Sequence, residues 1–395
     1  MAMAMHRIAG AGVTGTAVQG TIGLLVCGWS VLMAGCSRRG AALPFPVSIA
    51  EYVVPWANSF PSDVAVDDAG RVWFTDRLAH VIGRFDVTTL RFDSFPTSRR
   101  GSVPYGMLRA PDGSIWYAES GAGVLGRIDP RTERFEFHRI PGAEGGPHLI
   151  AWQDGVIWFS LRQSSSFGRY DTRTKETRIF SAPERPYSVA VAGDGHVWFN
   201  AIDRWQLYEV DPRTDRMRVH ELGTAPGPGE PWGTAMVRDS AGERRPLLIR
   251  DSAHYASLPD DVRREARRFR SAGRARRMTV DPTGSVWVAD FGRHRVVRYD
   301  PRTGVQQTYN SRYPQHAQPY GIVASAGGFV WFHEVGPNEM VVLDPRTGET
   351  ARIAIRARKA YVRHVAIDAA RNRVWLPMSD ASRIGLLKLA ETGGK

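Results

Sequence analysis

Hydrophobic positions in this chain come in short runs that alternate apolar and polar residues, and most runs end in Gly, Pro, Asn or Asp. Residues 104–140 show the unit clearly: "YGMLRA", "SIWYAE", "GRIDP" and "RFEFHRI", separated by an Asp-Gly turn, a Gly-rich link and an Asp-Pro-Arg-Thr turn. Alternation with period two and this punctuation predict strands, and no helical period is kept from unit to unit. The unit recurs as "GRVWFTDRLAHVIGRFD", "GVIWFSLRQSSSFGRYD", "GHVWFNAIDRWQLYEVD", "GSVWVADFGRHRVVRYD", "GFVWFHEVGPNEMVVLD" and "NRVWLPMSDASRIGLLK". Its Trp residues fall at 73, 116, 158, 198, 287, 331 and 375, in steps of 43, 42, 40, 89, 44 and 44. A period near forty with four strands per unit predicts an all-β fold, a propeller of four-stranded blades.

The 89-residue step spans about two periods and contains traces of the unit. Pro231-Trp232-Gly233 matches Pro104-Tyr105-Gly106, and "PLLIRDS" matches "SIWYAES" with Asp251 at the acid position. The expectation is therefore eight blades, the alternative being seven blades plus a basic insertion. The last unit stops after "RIGLLKL" without a fourth strand, and "VSIAEYVVP" near the start resembles a fourth strand with nothing before it. Pairing the two would close the ring and remove the exposed edges.

In a propeller the links between blades and the links between strands two and three emerge on one face, around the central channel. Two positions per blade should meet there. The first follows the entry Pro: Ser62, Tyr105, His148, Tyr187, Trp232, Arg276, Tyr320 and His364. The second lies three residues after the Trp: Asp76, Glu119, Leu161, Ala201, Asp251, Asp290 and Glu334, with Asp380 in the last blade when that blade is aligned on Ile384-Gly385. Tyr105, Tyr187, Trp232, Arg276 and Tyr320, with Glu119 and Asp76, are the candidate ligand contacts. Carboxylates beside His and Tyr offer oxygen ligands to a divalent cation, for which Asp290, Glu334 and Asp380 are the candidates, or a seat for a cationic or hydroxyl-rich ligand. The plainer use of a carboxylate there is to accept N–H groups of the following loop. The recurring Trp residues read as blade wall, and the Asp-Pro-Arg-Thr copies at 129, 211, 300 and 344 as hairpin turns.

Composition adds an address. Residues 1–36 carry Arg7 and then an apolar run, "TIGLLVCGWSVLMAGC", the layout of an export signal. Its end, Leu32-Met33-Ala34-Gly35-Cys36, resembles the bacterial lipobox, so Cys36 is the expected lipidation site and new N-terminus. Residues 37–48 then read as a linker, 49–390 as one propeller domain and 391–395 as a tail. The expected location is the bacterial envelope, anchored by lipid at the periplasmic face, and Ser37 is compatible with the outer membrane. With Cys27 lost in the signal, no Cys remains for a disulfide, a thiolate site or a thiol nucleophile.

The net charge of +12 is dispersed except between Arg238 and Arg277, where twelve Arg face six acids. Export argues against nucleic acid as the partner and leaves a small-molecule or peptide ligand, with the membrane reached through the lipid, on a monomer. No phosphate loop, nucleophile elbow or His-x-x-x-His helix is present.

The pattern "DG-x-[IV]-W-[FY]-x-[ED]" followed by "[IV]-G-R-[IF]-D" resembles the streptogramin B lyase (virginiamycin B lyase-like) propellers over nearly the whole mature chain. The resemblance implies elimination at an ester of a cyclic depsipeptide, with Mg2+ and a His base at the mouth. On it, His364 in "VRHVAI" falls at the last His position and Asp380 near the late acid, making His364 the base and Asp380 with Glu334 the cation ligands. Tyr320 stands where a preceding His is expected, and Val362 where a Glu is expected. His148 in "GPHLIA" keeps the Pro-His form and is the second catalytic candidate. The expectation is a mouth that binds a small molecule or peptide and supports metal-assisted elimination. The alternative is a non-enzymatic envelope platform for a protein or glycan.

Overall fold

The computed structural model describes residues 47–389 except 144, 203, 223–232, 239–243, 250–256, 261 and 263–274. Trp232, Asp251, Cys36 and the rest of the expected signal lie outside the described residues. Seven four-stranded antiparallel sheets follow one another, the first six each running from inner to outer strand in chain order. Blade one covers residues 61–96, blade two 104–139, blade three 150–181, blade four 186–221, blade five 275–310 and blade six 319–354. Blade seven takes three strands from residues 366–389 and its outermost strand from Val47–Val53. That strand pairs with Arg383–Leu389 in a register running from Val47↔Leu389 to Val53↔Arg383, so both chain ends close the ring.

The expected eight blades are corrected to seven plus an insertion. Among the described residues the long step contains a two-stranded sheet, Gly233–Arg238 against Arg244–Ile249. These are the segments that resemble a first and a second strand, and they do pair. The ring nevertheless passes them by, because blades four and five touch directly. Asn200 Nδ2 donates to the Arg276 carbonyl at 2.8 Å, and Met278 N donates to Ser188 Oγ at 3.3 Å.

The wall follows from the repeat. Trp73, Trp158, Trp198, Trp287 and Trp375 are fully buried between blades, and losing one to Ala would cost about 3–5 kcal/mol. Where the turn after strand one carries an Asp, the indole N–H has a partner: Trp73 Nε1 donates to Asp67 at 2.9 Å and Trp287 Nε1 to Asp281 at 2.8 Å. The Gly of "[IV]-G-R" lies within strand three, under the strand-two aromatic ring. A Cβ on Gly83 or Gly126 would come within 2.1 Å of Phe74 or Tyr117, so no other residue fits. The neighbouring Arg covers the indole: Arg84 sits 5.2 Å over Trp73 while bonded to Asp93 at 2.6 Å and Glu133 at 2.5 Å. Part of the chain's positive charge is thus spent inside the wall.

Candidate functional site

Asp76, Glu119, Asp290 and Glu334, three residues after the Trp, are buried, and each is engaged within its own blade or the link that enters it. Asp76 accepts from Trp56 Nε1 at 2.9 Å, Ser59 Oγ at 2.6 Å, Phe60 N at 2.8 Å and Ala79 N at 3.2 Å. Glu119 accepts from Ser98 N at 2.9 Å and from its hydroxyl. Burial pushes the Glu119 carboxyl up despite these bonds. Asp290 accepts from Arg295 Nε at 2.9 Å, and burial raises its pKa to about 6 against the pull of Arg293 and Arg295. Glu334 is held by Arg352 at 2.5 Å. Asp76 and Glu119 therefore tie down the link that enters their blade, while Asp290 and Glu334 hold arginines of later strands of their blades. Among the described residues only Ala79 N and Arg293 N of the links after strand two are engaged.

The expected magnesium site does not assemble. Asp290 and Glu334 spend their oxygens on arginines of their own blades. Blade seven departs from the template: Met378, bridged to Val362, occupies the acid position, and Asp380 lies beyond it, exposed, in the turn Ser379–Ala381. Among the described residues no group of three or more His, Cys, Asp or Glu could hold a metal ion. The donor set does not fit the cation that the resemblance implies.

The first circle does converge, with one change of register. Inner strands in five blades open with an irregularity after the entry residue, as between Pro104 and Met107 or Pro319 and Ile322. The residue just after the entry, Tyr105, Tyr187, Arg276 or Tyr320, is thereby aimed at the channel mouth. In blade seven Ala366 pairs with Trp375 just as Leu108 pairs with Trp116, which puts Arg363, not His364, in line with Tyr105. His364 takes the place of Gly106. Its Nδ1 accepts from Val64 N at 3.4 Å, and its ring borders a cavity of about 620 Å³ that opens among the turns after strand one, on the other face. Burial lowers its pKa to about 4, with Asp63 opposing and Arg277 assisting. His364, Asp380 and Glu334 thus belong to three separate environments. Ser62 is buried and donates to the Phe60 carbonyl at 3.3 Å.

At the mouth the phenols of Tyr187 and Tyr320 meet in a short hydrogen bond. Arg363 Nη1 donates to Tyr320 Oη at 3.1 Å and Tyr105 Oη at 3.3 Å. Arg276 lies over Tyr187, Phe291 and Tyr320 at 5.5, 4.8 and 5.6 Å. His148 packs at a tilt against Tyr105 and Tyr187 with ring centroids 4.1 and 5.1 Å away, and neither of its nitrogens reaches a hydrogen-bond partner among the described residues. Burial, helped by Arg162 and Arg277, holds His148 well below the usual imidazole range. Burial also pushes the Tyr105 phenol up, but the charges of Arg363 and Arg277 outweigh it and bring its pKa to about 7. Its partners Tyr187 and Tyr320 go the other way, the latter to about 12, so one phenol of the three gives up its proton first.

One layer inward, Arg277 is paired with Asp63. Sequence reasoning missed Arg363, Arg77, Tyr361 and the Asp63–Arg277 pair. For Arg363 the available signal was the step of three residues back from the position opposite Trp, which gives the mouth residue in every blade; the other four residues lie at no such step.

The chain matches the model of the Virginiamycin B lyase family over residues 41–224 and that of the NHL repeat over residues 273–299. Among solved structures it is similar to virginiamycin B lyase from Staphylococcus aureus, at 18% identity over 87% of this chain and 100% of that chain, with a TM-score of 0.68. A streptogramin B lyase structure is similar at 18% identity over 87% of this chain and 98% of that one, with a TM-score of 0.69. YCF48 bound to D1 peptide is similar at 9% identity over 90% of this chain and 100% of that one, with a TM-score of 0.63. No curated protein matches. At such identities the likeness of structure speaks for the fold.

Proposed function

We propose that this chain, a streptogramin B lyase-like β-propeller, is an exported, lipid-anchored envelope protein that binds a small molecule or peptide at its channel mouth. The observation that carries the reading is the meeting of Tyr105, His148, Tyr187, Arg276, Tyr320 and Arg363, one residue from each of six blades, at a single point of the ring. Convergent polar groups on an aromatic floor suit capture and orientation of a ligand. The signal and lipobox of residues 1–36 support export and anchoring at Cys36.

Elimination chemistry has weaker support. His148 is the imidazole inside the mouth cluster and has free nitrogens, but the burial that keeps it neutral also makes it a poor proton acceptor. Among the described residues the acids after strand two offer no cation site, because they are already bonded to Ser, Trp, Arg and backbone donors. Binding without ring opening is the expected behaviour.

A thermal-shift screen of the mature protein against small molecules, short peptides and quinupristin tests this. At least one ligand should stabilise the wild type, with its affinity reduced about tenfold or more in Tyr320→Phe and His148→Gln. A ligand whose effect survives both substitutions would place binding elsewhere and overturn the reading. Steady ring opening of quinupristin that disappears in His148→Gln would overturn the restriction to binding.

A further inference from the structure

The mouth has a charge problem that its own residues do not solve. Among the described residues Arg276 makes no ion pair and its guanidinium no hydrogen bond, Arg363 is bonded only to phenols, and the Nε atoms of both are buried without a partner. Arg77, at 4.5 Å over Phe60 and 5.9 Å from the Tyr105 ring, adds a third guanidinium with an orphaned Nε. Against them stand two carboxylates. Asp63 is committed to Arg277, and Asp380 is exposed and forms no ion pair among the described residues, although the charge of Arg363 acts on it. His148 is neutral, and Tyr187, Tyr320 and Tyr361 are all held protonated by burial. Uncompensated guanidinium charge in an aromatic cage is costly unless an anion joins it.

We propose that the mouth is an oxyanion site in which Arg276 and Arg363 take the carboxylate of an acidic small molecule or of a peptide end as their counter-charge. The inference rests on the mouth being the binding site and names the group recognised there. Both arginines are only partly buried as whole residues, so an anion can reach them from the open side. A guanidinium offers parallel N–H donors that match the two oxygens of a carboxylate, and Phe291, Tyr361 and Phe60 supply flat walls beside it.

Besides the exposed Asp380, the local group among the described residues able to supply negative charge is a phenol, and Tyr105 is the one poised to do so. A bound carboxylate and the Tyr105 phenolate therefore compete for Arg363, with the charge of Arg276 acting on both. The competition gives a readout independent of any turnover. Phenolate absorbance of the mature protein is followed against pH in chloride, then with rising acetate, sulfate or acetamide at constant ionic strength.

One phenol should titrate near neutrality in chloride. Each tenfold excess of acetate over its dissociation constant should raise that midpoint by about one unit, acetamide should leave it in place, and sulfate should act at least tenfold more weakly than acetate. Tyr105→Phe should remove the neutral titration, and Arg276→Gln should abolish the dependence on acetate. A midpoint indifferent to acetate, or moved equally by acetamide, would overturn the proposal, as would an effect undiminished in both Arg276→Gln and Arg363→Gln. A stronger response to sulfate would overturn the choice of carboxylate. The wild-type comparison of acetate with acetamide decides even where a variant fails to fold. If acetate fails while a neutral ligand still depends on Tyr320 and His148, the site stands and only its anion preference falls.

Discussion

Two circles of residues repeat around the same end of this ring and have opposite fates. The acids after strand two, Asp76, Glu119, Asp290 and Glu334, are each satisfied within their own blade or its adjoining link. The residues after the blade entry look across the channel at one another instead: Tyr187 to Tyr320, Arg363 to Tyr105 and Tyr320, Arg276 to Tyr187. The first circle repeats one residue type wherever a clamp is made, in four of the seven blades, with Leu161, Ala201 and Met378 at the same position in the other three. The second varies from blade to blade because its members meet at one point, where each needs a different chemistry. In a repeat protein, recurrence marks architecture and departure from the template marks a site.

The largest test of that contrast is Asp76→Ala. Removal of the carboxylate strands four donors in a buried link, and denaturant unfolding should show a loss of about 3–5 kcal/mol. Ligand affinity at the mouth should stay unchanged in the protein that remains folded.

Next comes acid lability. His333, beside Glu334, accepts from Val362 N at 3.2 Å, and burial lowers its pKa from 6.5 to about 3. The folded protein keeps this imidazole neutral while the unfolded chain protonates it. Its contribution is therefore complete above pH 6.5 and is lost as pH falls towards 3. His333→Asn should flatten the fall in stability on acidification by up to about 1.4 kcal/mol per pH unit below that point, read from urea midpoints at stepped pH.

Tyr320→Phe should sharpen the contrast from the other side. It removes a hydroxyl from the mouth network, so stability should change by only about 1 kcal/mol while binding weakens tenfold or more. The smallest effect is expected for Asp380→Asn. This carboxylate is exposed and outside any ion pair, so stability should stay within about 0.5 kcal/mol. Acetate should bind somewhat more tightly once that competing negative charge is gone.

How far the fold and the site could be read from sequence follows the same division. Strand order, the Trp wall and the closure by both ends were legible because each rests on local alternation repeated many times. The blade count was not. The segments 233–238 and 244–249 have the right local pattern and do pair, but a period counts strands and cannot tell whether a hairpin stands in the ring or outside it. His364 was set at the mouth because "VRHVAI" lacks the Pro-x-Gly mark that fixes register elsewhere. A slip of one residue along a strand turns a side chain to the other face, and here it exchanged His364 for Arg363. The acids were found in place, but their service to the loops depends on partners such as Arg352 and Ser98 that lie at no fixed spacing from them.

The pairing of Val47–Val53 with Arg383–Leu389 also sets an order of events in time. A chain made and delivered from its N-terminus presents this first strand long before its partner exists. Every blade between them can collapse on local contacts, yet the ring stays open until the final strand arrives, and the closing contact spans almost the whole length of the chain. Folding is thus committed late, with one strand edge and the wall beside it uncovered until the end. A chain cut short by even its final strand would have six complete blades and no way to seal the seventh.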